Sequence, residues 1–383
     1  MEQSTPRVMV VYGTRPEAVK LAPLIRELRR HADLQVEVVV TGQHRDMLQQ
    51  VNDEFGIEPD VDLQVMTDRQ GLVPLASTML DRLAPVLAER RPDLVVVQGD
   101  TTTTTVAALA AFYERIPVAH VEAGLRSGDM DAPFPEEGNR RITSQLARLH
   151  LAPTAEARAN LLAEGIAPAD IVVTGNTVID ALLEMLAQPA RPLRDAAVQA
   201  VLDGGGRTLL VTAHRRESWD GGIAATARAL RRLADAYPDL HIVLPMHRNP
   251  VVRAALEEVG PRVLLTEPMD YPDFTRVLAA ADVILTDSGG IQEEAPALGR
   301  PVLVTRDTTE RPEAVAAGTV RLVGTDEDAI VAEVSRLLDD PAAYARMARA
   351  TNPYGDGRAA IRCAAAIRAH FGLTERAADF TPF

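Results

Sequence analysis

The sequence has one cysteine, Cys363, so no disulfide can form within the chain, and a reducing compartment is expected. Lysine is almost missing as well: of 40 basic residues, only Lys20 is a lysine. Arginine serves everywhere else, which marks Lys20 as a place where a compact ammonium is wanted. No apolar run reaches membrane-spanning length, and the polar start Met1–Arg7 lacks the apolar core of a secretion signal. A cytoplasmic protein with no membrane partner is therefore expected. Basic charge is not in excess either: the net charge of -14 speaks against a nucleic-acid-binding surface. A phosphate ligand would need its positive charge gathered in one pocket. No G-x-G-x-x-G follows a strand, and neither a Walker A loop nor H-E-x-x-H occurs, so no dinucleotide, metal or other cofactor is called for. Asp129-Met130-Asp131 has metal-ligand spacing but lies in a proline-flanked loop, and reads as solvated.

What is present is a repeated alternation of short β-branched runs, polar loops and amphipathic helices. That pattern predicts parallel sheets covered by helices on both faces. The 383 residues exceed one ordinary core. Strands are expected at Val8–Tyr12, Val36–Thr41, Leu94–Gln98, Val118–Val121, His150–Ala152 and Ile171–Val173, with helices at Pro16–Arg30, Leu72–Arg90 and Glu136–Leu146. The segment Gln188–Gly206, with Pro189, Pro192 and three consecutive glycines, reads as a linker helix and a turn into a second domain. Strands then resume at Thr208–Thr212, His241–Pro245, Val263–Leu265, Val283–Thr286, Pro301–Val304 and Thr319–Leu322. The expected division is residues 1–185, carrying the acidic cluster, residues 186–356, and a final helical segment 357–383 packing back on the first domain. The fold class is α/β: two Rossmann-like, doubly wound domains facing each other across a cleft.

Ligands of open parallel sheets bind beyond the carboxyl ends of the strands, so the residues just past each strand matter most. Here the strand ends are polar in both halves: Gly13–Lys20, Thr41–Arg45, Gly99-Asp100-Thr101, Glu122–Arg126, Ala213–Glu217, Met246–Asn249 and Asp287–Glu294. Ser288-Gly289-Gly290 opens a helix with free backbone N–H groups and close access, which suits a diphosphate; a simple helix cap by Ser288 is the competing reading. Glu294 lies one turn on, suited to a ribose hydroxyl, while Arg15 and Lys20 offer positive charge from the first domain. Asp100 and Glu122 end neighbouring strands, and Glu136 starts a helix after Pro133-Phe134-Pro135. Converging carboxylates suit proton transfer at carbon, because neighbouring charges separate their protonation states.

With these segments laid out, the sequence resembles the non-hydrolysing UDP-N-acetylglucosamine 2-epimerases along nearly its whole length. The matching stretches are Gly13–Lys20, Gln43–Arg45, Gly99–Thr104, His120–Arg126, Pro135–Glu137, Gly175–Asp180, His214–Ser218, Asn249–Val252 and Thr286–Pro296. The resemblance implies a glycosyltransferase-B-like fold and inversion at C2 of UDP-N-acetylglucosamine, giving UDP-N-acetylmannosamine. The implied route is elimination of UDP to 2-acetamidoglucal, then re-addition. Asp100, Glu122 and Glu136 resemble the acid/base group and His214 the partner of the leaving diphosphate. Arg15, Lys20, Ser288, Gly289, Gly290, Glu294 and Arg311 resemble UDP contacts, and Phe274 suits the uracil. Some members bind a second substrate molecule as an activator; Gln43, His44, Arg69, Gln70, Glu136 and His247 resemble that site. This chain departs at Asp46, where those members often carry glutamine, and at Met269, where Gln or Leu commonly precedes Asp-Tyr. The family further implies a homodimer and UDP as a partner ligand. Rival readings are a hydrolysing 2-epimerase, a glycosyltransferase of the same fold, and a nucleotide-sugar-binding regulator. Pro16-Glu17-Ala18 favours the non-hydrolysing type, and three first-domain acids exceed what simple transfer requires.

Overall fold

A computed structural model describes residues 5–42, 45–66, 70–189, 191–213 and 221–382. The chain divides into two compact units, one running to Ala181 and taking back Tyr354–Pro382, the other covering Leu182–Pro353.

In the first unit, β1 (Arg7–Tyr12), β2 (Gln35–Val40), β3 (Val61–Asp62), β4 (Leu94–Gln98), β5 (Val118–Val121), β6 (Leu149–Ala152) and β7 (Ile171–Val173) form one sheet in the order β3-β2-β1-β4-β5-β6-β7. Every pairing is parallel. The helices between them are α1 (Arg15–Arg29), α2 (Arg45–Phe55), α3 (Leu72–Arg90), α4 (Thr102–Tyr113), α5 (Glu136–Leu146) and α6 (Ala155–Ala163), and α7 (Thr177–Ala187) follows β7 and carries the chain past Ala181 into the second unit. Strand β4 is buried at all five positions, as a central parallel strand covered on both faces must be. Helix α3 shows how the core forms: Leu75, Met79, Leu83 and Leu87 recur every fourth residue and pack against Met9, Val11, Val39, Val95 and Val97. Each such side chain contributes about 1.5–3 kcal/mol on full burial. The two-residue β3, which the sequence pattern does not reveal, is too short to show a period; its register on Val39 and Val40 creates it.

The second unit repeats the plan. Its strands β8 (Arg207–Thr212), β9 (Leu240–Pro245), β10 (Val263–Thr266), β11 (Val283–Thr286), β12 (Val302–Val304) and β13 (Val320–Leu322) run in the order β10-β9-β8-β11-β12-β13, again all parallel. Its helices are α8 (Ala196–Gly204), α9 (Gly222–Ala236), α10 (Pro250–Ala255), α11 (Tyr271–Ala280), α12 (Ile291–Ala297), α13 (Pro312–Ala317), α14 (Glu327–Asp339) and α15 (Pro341–Ala348). Ile223, Leu230 and Leu233 of α9 meet Ile330, Val334 and Leu337 of α14 over the sheet.

Helix α16 (Ala359–His370) belongs to the first unit. Asp180 caps it by accepting from the N–H groups of Ala359 and Ala360 at 3.1 and 2.8 Å. Arg368 reaches Asp33 at 2.6 Å. Beyond it, Phe380 N–H donates to the Val173 carbonyl at 2.7 Å and Asp379 accepts from Val173 N–H, so the tail covers the outer edge of β7.

Candidate active site

In each sheet the chain turns back on itself at one point: between β1 and β4 in the first unit, and between β8 and β11 in the second. It is at such points of reversal that ligands of open parallel sheets bind, beyond the carboxyl ends of the strands. The candidate residues gather at these two places.

At the first, Glu122 follows β5 directly. Its φ of 63° puts a non-glycine residue in the left-handed region, an arrangement costing about 1–3 kcal/mol that surrounding contacts must hold. Those contacts are specific. Glu122 Oε1 accepts from Lys20 Nζ of α1 and from Asn176 Nδ2, the latter at 2.8 Å; Oε2 accepts from Gln98 Nε2 at the end of β4. The only lysine in the chain is therefore committed to the Glu122 carboxylate, and both groups are mostly buried. One cation and two amides on two oxygens form a charge-assisted set that fixes this carboxylate in direction.

Asp100 lies in the β4–α4 loop. Its Oδ2 accepts from Arg140 Nη2 at 2.6 Å, and its carbonyl accepts from Asn139 Nδ2 at 2.9 Å. Arg140 also donates to Glu137 at 3.1 Å, while Glu137 takes Ser127 N–H at 3.0 Å and Arg141 at 3.1 Å. Burial alone would raise the Glu137 carboxyl, but these donors outweigh it and hold it below its ordinary range. Glu136 is the first residue of α5, one turn before Arg140, and its Oε2 is a buried atom with no hydrogen-bond partner among the described residues. Asp100, Glu122 and Glu136 thus share the carboxyl edge of one sheet in three environments: one on a guanidinium, one on an ammonium and two amides, one with an uncommitted oxygen. Arg15, half-buried, is the first residue of α1 on the same edge.

The loop geometry depends on Gly13. A Cβ there would lie 2.0 Å from Thr41 Oγ1 and 2.5 Å from Thr103 Oγ1, so no larger residue fits. Behind Asp100, the His120 ring is completely buried and its Nε2 bonds the Gly99 carbonyl at 2.7 Å.

In the second unit, Ser288-Gly289-Gly290 follows β11. The cap of α12 is Gly290, so Ser288 does not cap the helix and the competing reading of that serine falls. Ser288 N–H is turned onto Thr286 Oγ1 at 3.0 Å. A Cβ on Gly289 would sit 2.8 Å from Glu310 Oε1, so glycine lets the β12–α13 loop come close. Glu294 is buried and accepts from the Tyr271 hydroxyl at 2.9 Å. Arg311 is buried between Glu293 at 2.8 Å and Glu310 at 3.3 Å. Phe274 is half-buried on α11. The structure thus assembles Phe274, Ser288, Gly289, Gly290, Glu294 and Arg311 within one unit.

His214 lies outside the described residues, as do Gln43, His44 and Arg69. Of the other activator-site candidates, Gln70 donates to Thr78 at 3.4 Å, and exposed His247 accepts from Asn249 N–H at 3.2 Å. Gln98, Asn176, Arg140 and Glu17 hold the acids or their loops, a role that sequence reasoning misses. Gln98 carries a signal, as the polar end of an otherwise apolar strand, and Asn176 lies inside one of the matching stretches.

A family model described as UDP-N-acetylglucosamine 2-epimerase matches residues 26–368. The UDP-N-acetylglucosamine 2-epimerase of Escherichia coli strain K12 is 51% identical over 94% of this chain and 98% of its own. Among solved structures, a Staphylococcus aureus MnaA–UDP complex aligns with a TM-score of 0.90 at 43% identity, covering 98% of this chain and all of that one. The Neisseria meningitidis UDP-GlcNAc 2-epimerase bound to UDP-GlcNAc aligns at 0.86 and 44% identity, over 96% and 99%. The glycosyltransferase SnogD of Streptomyces nogalater shares the fold alone, at 19% identity and a TM-score of 0.63 over 96% and 99%. Two Rossmann-like units with this strand order and these relatives place the protein plainly: the chain belongs to the UDP-N-acetylglucosamine 2-epimerase family.

Proposed function

We propose that this protein interconverts UDP-N-acetylglucosamine and UDP-N-acetylmannosamine by eliminating UDP to a retained 2-acetamidoglucal and adding it back with C2 inverted, without net hydrolysis. The observation that carries the reading is the trio of Asp100, Glu122 and Glu136 on one sheet edge in three different environments. Inversion at C2 needs one group to remove a proton from carbon and another to return one to the opposite face, with protonation states kept apart. The proton on C2 is weakly acidic, so its removal must be timed with departure of a stabilised diphosphate. The Gly289-Gly290 step offers backbone N–H groups for that diphosphate, Glu294 a carboxylate for ribose, Phe274 a ring for uracil, and His214 a partner for the leaving group. Arg15 adds positive charge, and Arg311, paired with Glu293 and Glu310, offers N–H donors rather than net charge. Lys20 holds Glu122 in direction. The names of the relatives, and the UDP-sugar bound to one of them, support the substrate. A homodimer and a second, activating substrate site at Gln43, His44, Arg69, Gln70 and His247 belong to the same proposal.

The test is a proton NMR time course with UDP-N-acetylglucosamine in D2O. UDP-N-acetylmannosamine carrying deuterium at C2 is the expected product. Free N-acetylmannosamine with UDP would mean the hydrolysing reaction, and an unchanged spectrum would refute both.

A further inference from the structure

Glu17 is assigned no role in the reaction above, yet both oxygens of its carboxyl group are engaged. It is 1% exposed, at the third position of α1. Oε2 accepts from the N–H groups of Gly13 and Thr14 at 3.1 and 2.8 Å, in the β1–α1 loop. Oε1 meets the hydroxyls of Thr101 at 2.7 Å and Thr104 at 3.2 Å, in the β4–α4 loop and the first turn of α4. These are the two loops at the point where the strand order of this sheet reverses. We propose that Glu17 is a positioning residue: it clamps the two loops together as an uncharged acid and so sets Asp100 and Glu122 in place. This rests on the acid/base reading of those two residues.

Counting protons defines the clamp. A hydroxyl has one proton to give. Thr104 Oγ1 lies 2.6 Å from the Gln98 carbonyl, which can only accept, so the Thr104 proton goes there. The contact between Thr104 and Glu17 then needs a proton from Glu17. With one on Oε1 each link of a three-link chain has a donor: Thr101 O–H donates to Glu17, Glu17 O–H to Thr104, and Thr104 O–H to the Gln98 carbonyl, while the two hydroxyls, 3.1 Å apart, share no proton of their own. Oε2 remains a plain acceptor for two backbone N–H groups. A carboxylate would instead set lone pairs against each other at the Thr104 contact. Burial pushes this carboxyl upward, more than its hydrogen bonds from Thr101, Thr14 and Gly13 lower it, in agreement with the uncharged form. The chain ends at useful places. Thr101 follows Asp100 directly, and Gln98, whose carbonyl takes the last proton, donates its side chain to Glu122.

Glutamine tests the idea because it resembles the uncharged acid: its oxygen accepts from Gly13 and Thr14, and its NH2 donates to Thr104 and to Thr101, whose own proton then turns to Thr104 Oγ1, 3.1 Å away. In the full-length protein, Glu17→Gln is expected to stay near the parent in turnover. Glu17→Ala is expected to lose about 100-fold in kcat, the effect of an ångström-scale misplacement of a reacting group, with KM and UDP affinity near the parent values. Amide hydrogen exchange at residues 13–14 and 99–105 should rise in Glu17→Ala and not in Glu17→Gln. A glutamine variant as slow as the alanine variant would overturn the uncharged clamp. An alanine variant with parental kcat, or with KM raised and kcat held, would overturn positioning. If Glu17→Ala does not fold, Thr104→Val breaks the chain at one link, and parental turnover and amide exchange in that variant would likewise refute the proposal. If the parent itself does not turn over UDP-N-acetylglucosamine, the proposed function fails, while the amide exchange still decides the clamp.

Discussion

Acidification should destabilise the first unit through two histidines that sit directly behind the candidate catalytic edge. His120 and His150 are register partners on β5 and β6, and both are buried. Burial pushes His120 down from 6.5 to about 3, a shift only partly offset by its bond to the Gly99 carbonyl and by Glu122, with His150 and Arg126 adding to it. His150 falls to about 4, again chiefly by burial, with Arg126 lowering it and Asp170 opposing. Neither Nδ1 has a hydrogen-bond partner among the described residues. The folded values lie below the unfolded one, so the unfolded chain binds protons first. The stability these rings supply as neutral groups is complete above about pH 6.5 and is lost as pH falls toward the folded values. At pH 5, a gap of 1.5 units below 6.5 costs about 2 kcal/mol for each ring, or about 4 kcal/mol for the pair. Set against a total of about 5–15 kcal/mol for ordinary domains, this would lower the melting temperature by about 8–16 °C for a unit of this size. Urea melts at pH 7.5 and pH 5 read the loss in the parent and in His120→Asn and His150→Asn. Each variant should lose about 2 kcal/mol less between the two pH values than the parent, whatever its stability at pH 7.5. Equal losses in parent and variants, or an NMR titration of either ring near 6.5 in the native protein, would refute the reasoning.

Three other changes probe the site. Glu122→Gln should abolish deuterium exchange at C2 while UDP affinity, measured by calorimetry, stays close to the parent; retained exchange would remove Glu122 from the acid/base group. Arg140→Met takes one of two guanidinium partners from the buried Glu137 and releases Asp100, and should cost about 1.5–3 kcal/mol in urea unfolding together with turnover. Gly13→Ala forces a methyl into two threonine hydroxyls and should cost about 1–3 kcal/mol, visible as a lower urea midpoint with unchanged slope; parental stability would show that the two loops separate easily.

Local patterning is legible in the sequence wherever one element alone decides it. The runs Leu94–Gln98, Val118–Val121, Ile171–Val173 and Val283–Thr286, and the helices Leu72–Arg90 and Glu136–Leu146, match the structure residue for residue, because period and length are properties of the segment itself. The polar strand ends are legible for the same reason: they stand out against apolar runs. Whether Ser288 caps α12 is not, since that depends on which residue opens the helix, and backbone geometry assigns the cap to Gly290.

Taken alone, the sequence specifies two α/β repeats, the polar edge of each, and the family they belong to. Which groups meet is settled only once the sheets assemble. Glu122 finds its three donors 24, 54 and 102 residues away, Asp100 finds Arg140 across 40, and Glu17 reaches Thr104 across 87. Those meetings arise from strand order and register, which place the loops after β1, β4 and β5 side by side. A side chain's charge is written in its own letter, but its protonation and direction are set by neighbours that only the assembled sheet supplies.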